Sequence, residues 1–239
     1  MIEINKINSF KDFSNISKSF GIEINNNQLE LFKKYYTILL EWNKKINLIS
    51  RKEENILEKH FLDSILFLPE IENLCRCWSR RPWRASPMAG PAPTGKVLDI
   101  GSGGGFPAIP LAIMKPEWHF TLCESIKKKT EFLTHIVKEL NIEKNVKIIN
   151  ARVETLRATS LHKNKYDLIT ARAIAKLDEL IKYSLPILKK GGYLLAYKAK
   201  DIDDEIKDIE KLIDGNNLKL KIFSKKINEV ERKLIIIQP

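Results

Sequence analysis

Four residues of strand character, Val97-Leu98-Asp99-Ile100, run straight into Gly101-Ser102-Gly103-Gly104-Gly105-Phe106, and a helix-like segment comes next over 109–114. A strand, a glycine loop and a helix in that order form the first turn of an α/β unit. A loop with so little side-chain bulk brings backbone N–H groups close to a ligand. It also sits at the carboxyl end of a strand, where open α/β sheets bind their ligands. The spacing of the glycines narrows the choice. A dinucleotide fingerprint, G-x-G-x-x-G, requires glycine at 101, 103 and 106, and position 106 is Phe106. A P-loop requires Lys-Ser or Lys-Thr after its last glycine, and neither follows Gly105. The pattern present is Asp-x-Gly-x-Gly-x-Gly, carried by Asp99, Gly101, Gly103 and Gly105.

From Lys96 onward strands and helices alternate. Strands are expected over 97–100, 120–123, 146–149, 166–170, 193–197, 218–223 and 233–237, with helices over 109–114, 127–140, 175–188 and 202–213. Such alternation predicts a doubly wound α/β fold, a parallel sheet with helices on both faces. No convincing helix separates the last two strands, so they should form an antiparallel edge. The Asp99, Gly101, Gly103 and Gly105 pattern resembles motif I of the S-adenosylmethionine (SAM)-dependent methyltransferases, in which the loop lies against the amino-acid end of SAM, and that resemblance implies the order 3-2-1-4-5-7-6, which periodicity alone does not.

Ahead of this unit lies a helical extension, expected over 1–74. Phe10, Phe13, Ile16 and Phe20 recur at helical spacing, as do Leu29, Phe32, Tyr36, Leu39 and Ile46. Ser50 and Glu53 have the spacing of a capping box, which predicts a third helix carrying Ile56, Leu57, Phe61 and Ile65 and ending before Pro69. Residues 75–95 differ in flavour from the rest: rich in Pro, Arg and Trp, they contain no Lys, Ile or Asn. Prolines at 82, 87, 91 and 93 argue against a regular helix, so an exposed linker or insertion is expected there. The SAM-binding unit then spans 96–239.

The net charge of +11 and pI near 9.4 favour an anionic partner. No apolar run approaches the ~18 residues that span a bilayer, and the N-terminus lacks an apolar signal core. The three cysteines are an odd number, and Cys75-x-Cys77 lacks zinc-site spacing. The expectation is a cytoplasmic, monomeric protein with free thiols, no metal and no membrane.

Several side chains are placed to carry chemistry. Asp99 can accept from loop N–H groups or face a substrate amine. Glu124, about twenty residues beyond the loop, closes the second strand, where an acid takes the ribose hydroxyls of a nucleoside. Asn150-Ala151-Arg152-Val153-Glu154 ends the third strand, the turn that brackets adenine in SAM folds. Thr170-Ala171-Arg172-Ala173 ends the fourth, overlooking the methyl acceptor, and Arg172 could hold a phosphate or the SAM carboxylate. An exocyclic amine acceptor usually requires an Asn/Asp-Pro-Pro-aromatic tetrad there, and 170–173 has neither proline nor aromatic. A pyrimidine C5 acceptor requires a cysteine nucleophile, and Cys123 lies on the wrong strand. Guanine N7 has a free lone pair and no proton to remove, so positioning suffices. Lys127, Lys128, Lys129, Lys198 and Lys200, with Lys44, Lys45, Arg51 and Lys52, form a candidate cationic rim for RNA. His60 and Ser64 share a helix face, with a core hydrogen bond the simplest role for His60.

Asn47-Leu48-Ile49-Ser50-Arg51, His60-Phe61-Leu62-Asp63-Ser64, the loop from Val97 to Pro107 and Thr170-Ala171-Arg172-Ala173, in that order, resemble the RsmG (GidB) family. The resemblance implies a bacterial methyltransferase that places a methyl on guanine N7 in the 530-loop region of 16S rRNA of the small ribosomal subunit. It implies SAM contacts at Gly101, Phe106, Val153, Glu154 and Arg172, beside Asp99, Gly103, Gly105 and Glu124 read from the motif. RNA contacts are expected at Arg51, His60, Lys127, Lys128 and Lys198. Residues 75–95 depart from the family, whose members have a shorter link. A SAM-holding RNA-binding protein without catalysis is the alternative. A methyltransferase of small molecules or proteins stands third, and a nicotinamide oxidoreductase last, because of Phe106.

Overall fold

The computed structural model describes residues 7–79, 95–158, 165–198, 202–228 and 230–239. Residues 80–94, most of the atypical segment, and Lys200 lie outside the described residues. The chain opens with α1 (Phe10–Ser19) and α2 (Asn26–Asn43). Ser9 caps α1 by accepting from Asp12 N, and Asn25 caps α2 in a reciprocal box with Gln28.

The box expected at Ser50 and Glu53 does not form. Asn55 takes φ +60°, which separates those residues from the next helix, and its carbonyl accepts the first helical N–H groups, from Glu58 and Lys59. Glu53 turns to Lys59 at 2.6 Å instead of to a cap. Next in the chain is a π-helical turn, Leu57–Leu62, running into a short α3 (Asp63–Ile65). That helix ends at Ile65, as expected before Pro69. Pro69 stands in the first turn of α4 (Leu68–Ser79), where a missing N–H is tolerated. Helix therefore continues past position 75, where irregular chain was expected, as far as Ser79.

The remainder supplies β1 (Lys96–Ile100), α5 (Ala108–Met114), β2 (His119–Glu124), α6 (Lys127–Glu139), β3 (Val146–Asn150), α7 (Val153–Ala158) and β4 (Tyr166–Arg172). After these come α8 (Leu177–Ser184), β5 (Leu188–Lys198), α9 (Asp203–Gly215), β6 (Lys219–Ile227) and β7 (Val230–Gln238). The seven strands take the order β3-β2-β1-β4-β5-β7-β6, with β1 to β5 parallel and β7 antiparallel to both its neighbours. Helix α8 is shorter than the expected 175–188. The Ile187 carbonyl accepts from Lys165 and Tyr166, which draws this stretch to the sheet. The final hairpin is longer than expected because Ile227 pairs with Val230 across a tight turn, and Asn228 takes the left-handed φ of +53° suited to it.

Alternate strand residues face two separate cores, as period-two geometry requires. Val97, Phe120, Leu122, Leu168 and Leu195 pack with α1 to α6, while Leu98, Cys123, Ile169, Leu194 and Ile235 pack with α7 to α9. The N-terminal helices thus share a core with one face of the sheet. By the same period Asp99, Glu124, Thr170 and Arg172 project toward that face.

Candidate active site

A cavity of about 310 Å³ opens at the carboxyl ends of β1 to β4, lined by Gly101, Cys123, Ser125, Val153, Glu154 and Ile174 among others. The glycine loop forms its edge. Gly101, Gly103 and Gly105 take φ of +64°, +54° and +91°, a region that L side chains rarely adopt. The reasons for glycine differ by position. A Cβ on Gly101 would lie 2.7 Å from Ile174 Cδ1, and one on Gly105 would lie 2.8 Å from the Tyr35 hydroxyl and 2.5 Å from Ile109 Cδ1. At Gly103 the space is open and only the backbone angle excludes a side chain.

Glu124, buried at the end of β2, ties the loop to its neighbour. Its Oε2 accepts from Gly103 N at 2.9 Å and its Oε1 from Ile126 N at 2.8 Å. Each oxygen keeps a second lone pair for a further donor, such as a ribose hydroxyl. Asp99 does not accept from the loop N–H groups. Its Oδ1 accepts from Thr170 Oγ1 at 2.6 Å, and its buried Oδ2 has no hydrogen-bond partner among the described residues. Burial pushes this carboxyl up to about 7, against the opposing pull of the Thr170 and Ser102 hydroxyls and Arg172. Val153 and Glu154 open α7 beside the cavity. The Phe106 ring, in contrast, turns into the N-terminal helices, stacked on Tyr35 at 5.3 Å and against His60 at 5.0 Å.

Beside the cavity, Arg172 ends β4 and is gripped by the π-helical turn. A π turn displaces carbonyls from the regular ladder, and here Arg172 Nη2 donates to the Lys59 carbonyl and to His60 Nδ1, both at 2.8 Å. Arginine only donates, so His60 Nδ1 accepts and the ring proton resides on Nε2. That atom is buried without a hydrogen-bond partner, with Glu53 Oε2 at 3.9 Å. Burial, then the positive charges of Arg172, Lys59 and Arg232, drive His60 down to about 3, so it is neutral at physiological pH. Asp63 lies between Arg172 and Arg232, each at 3.4 Å. Burial raises its carboxyl and the two guanidinium groups oppose the rise.

Tyr35, Asp63 and Arg232 escape the sequence reading. Tyr35 lies between Phe32 and Leu39 at helical spacing, which marks it as core, but its hydroxyl partner is the Gly104 carbonyl, far along the chain. Arg232 stands between Glu231 and Lys233 ahead of the apolar run of β7, so nothing in the sequence separates it from its charged neighbours. Of the proposed cationic rim, Lys127 and Lys128 stand exposed in the first turn of α6, where they oppose the helix dipole. Arg51 is exposed too, donating to the Lys44 carbonyl at 3.5 Å. Lys198 is held inward, 2.7 Å from Glu205. Among the described residues no cluster could hold a metal, and no helix is long and apolar enough to cross a membrane.

Residues 28–78 and 85–235 match the family rRNA small subunit methyltransferase G (GidB). A ribosomal RNA small subunit methyltransferase G from Roseiflexus castenholzii is 40% identical over 192 residues, 80% of this chain and 74% of its own length. One from Lysinibacillus sphaericus is 35% identical over 232 residues, 95% of this chain and 89% of its own. Among solved structures, the METTL16 methyltransferase domain superposes with a TM-score of 0.60 at 13% identity, covering 96% of this chain and 92% of that one, a likeness of fold.

Proposed function

This chain belongs to the rRNA small subunit methyltransferase G family, a SAM-dependent methyltransferase family, and from that premise we propose that it methylates N7 of a guanine in the 530-loop region of 16S rRNA. The observation that carries this reading is the open cavity at the carboxyl ends of β1 to β4, lined by Gly101, Val153 and Glu154, with the glycine loop anchored to Glu124. SAM supplies an electrophilic methyl group on a sulfonium.

The cavity fits that cofactor. Glu124 arrives with both oxygens anchored by backbone N–H groups and with lone pairs left for ribose hydroxyls. Gly101 brings the glycine loop to the cavity wall, where the loop would hold the amino-acid end by backbone, and Val153 and Glu154, also in the lining, would flank the base. The unpartnered Asp99 Oδ2 provides an acceptor on the neighbouring strand. At the acceptor side, Arg172 occupies His60 Nδ1 and Asp63 is engaged by two arginines, so neither stands free as a general base. N7 alkylation asks for none. Guanine N7 carries a lone pair and no proton, so what these residues would supply to a methyl donor held in the crevice is alignment.

The rRNA backbone docks on Lys127, Lys128 and Arg51, which are exposed near this end of the sheet. The protein acts in the cytoplasm as a monomer, and lysines at 219, 221 and 226 on edge strand β6 discourage sheet-to-sheet pairing. The test is transfer of labelled methyl from SAM to 16S rRNA, with the product base identified. One methyl on guanine N7 in the 530 loop is the expected result. SAM binding with no transfer to RNA, free or in the small subunit, would favour an RNA-binding protein that holds SAM.

A further inference from the structure

We propose that Tyr35, on the N-terminal helix α2, is a positioning residue for the SAM loop. The proposal rests on the assignment of that loop to SAM. The loop is fastened on two sides. On the crevice side Gly103 N–H donates to Glu124. On the other side the Tyr35 hydroxyl donates to the Gly104 carbonyl. Tyr35 is fully buried, its ring packed against Phe106 at 5.3 Å and Phe61 at 5.0 Å, and burial raises its pKa well above the ordinary phenol value. A buried phenol hydroxyl needs a partner, and the one it has is a peptide of the cofactor loop.

Two further observations place α2 in this role. The Tyr35 oxygen fills the space that a side chain at Gly105 would need, 2.8 Å from the position of its Cβ. Glycine at 105 therefore admits the N-terminal helix into the loop. In addition, the Asn43 Oδ1 at the end of α2 accepts from Leu48 N at 2.9 Å and Ile49 N at 3.1 Å. That pins the segment whose Leu48 carbonyl lies 3.4 Å from where a Gly104 Cβ would stand. A stretch with glycine at 101, 103, 104 and 105 has great conformational freedom when unfastened. Each fixed point removes ordering that cofactor binding would otherwise have to supply.

The experiment compares wild type, Tyr35→Phe and Phe32→Leu. The second variant disturbs the same core, where Phe32 is fully buried, without touching the loop. S-adenosylhomocysteine affinity is measured by calorimetry, stability by thermal denaturation, and KM for SAM and kcat by methyl transfer to 16S rRNA. Tyr35→Phe is expected to weaken S-adenosylhomocysteine binding and raise KM for SAM by roughly 3- to 10-fold, the worth of one hydrogen bond. Its kcat at saturating SAM should stay within about twofold, since the ring and the acceptor side are intact. Phe32→Leu should lower the melting temperature and leave both SAM parameters unchanged. Wild-type affinity in Tyr35→Phe, or an equal loss in Phe32→Leu, would overturn the inference while leaving the SAM assignment standing. Absence of S-adenosylhomocysteine binding in the wild type would remove the assignment itself.

Discussion

The crevice at the glycine loop and the polar cluster at the end of β4, the proposed cofactor and acceptor sides, are built in opposite ways. The crevice is backbone and space: left-handed glycines, a carboxylate satisfied by peptide N–H groups, and about 310 Å³ of room. The end of β4 is dense with buried polar chemistry, in which Arg172, His60, Asp63 and Arg232 pair across three separate stretches of chain, with His60 Nε2 and Arg232 Nε left without a hydrogen-bond partner among the described residues. The difference shows where binding is prepared by removing side chains and where it is prepared by holding them rigid. A loop that must admit a ligand is kept bare. The surface proposed to align a base is kept from rearranging, because its charges are paired in place.

The strongest way to break this contrast is Gly101→Asp. The new side chain would meet Ile174 at a backbone angle of φ +64°, inside the crevice. Calorimetry should show S-adenosylhomocysteine affinity reduced by more than about 100-fold. Normal binding by this variant would mean that the cofactor lies elsewhere.

Next comes Arg172→Ala. The structure predicts a loss of both activity and stability, because Asp63 and His60 lose the partner that holds them. Breaking a buried pair costs roughly 3 kcal/mol in urea denaturation, and adding Asp63→Asn should recover part of it. A variant as stable as wild type would show that the cluster does not brace the fold.

A pH series sharpens the contrast further. His60 titrates near 3 in the folded protein, below its ordinary 6.5, so the unfolded chain binds the extra proton between those values. Its contribution to stability is complete above pH 6.5 and is lost as pH falls toward 3. Asp99 behaves in the opposite sense. Its folded value of about 7 lies above the ordinary 3.8, so its contribution is complete below about pH 4 and is lost as pH rises through 7. Melting temperature against pH should therefore fall less steeply on acidification for His60→Asn, and more steeply for Asp99→Asn. Parallel curves for the two variants would contradict the burial that separates them.

The smallest effect belongs to the periphery. Replacing Lys127 and Lys128 by Ala should weaken RNA binding modestly and lower the salt-dependence slope by about 1 for each phosphate no longer neutralised. S-adenosylhomocysteine affinity should not change. An unaltered slope would place the RNA on another face.

The legible part of the site is the part made by neighbours in sequence. Gly101, Gly103, Gly105 and Glu124 read as a nucleoside crevice because the strand–loop–helix unit dictates where its own residues lie. Arg172 is visible as a residue at a strand end, but its partners are not, since His60 and Asp63 precede it by more than a hundred residues. The false capping box at Ser50 and the true one at Asn25 teach the same lesson on a smaller scale. The spacing of a cap is a local pattern, while the left-handed turn at Asn55 that cancels it depends on how the chain is led into the π-helical turn.

The amino-acid order by itself determined the α/β class, the helices ahead of it and the bare loop after the first strand, because periodicity and glycine spacing act over a few residues. Tertiary structure alone decided that Gly105 makes way for Tyr35, that Phe106 turns away from the crevice and that Lys198 is tied to Glu205. Those outcomes depend on which surfaces meet when distant segments pack, and no local pattern encodes the partner on the other side of a core.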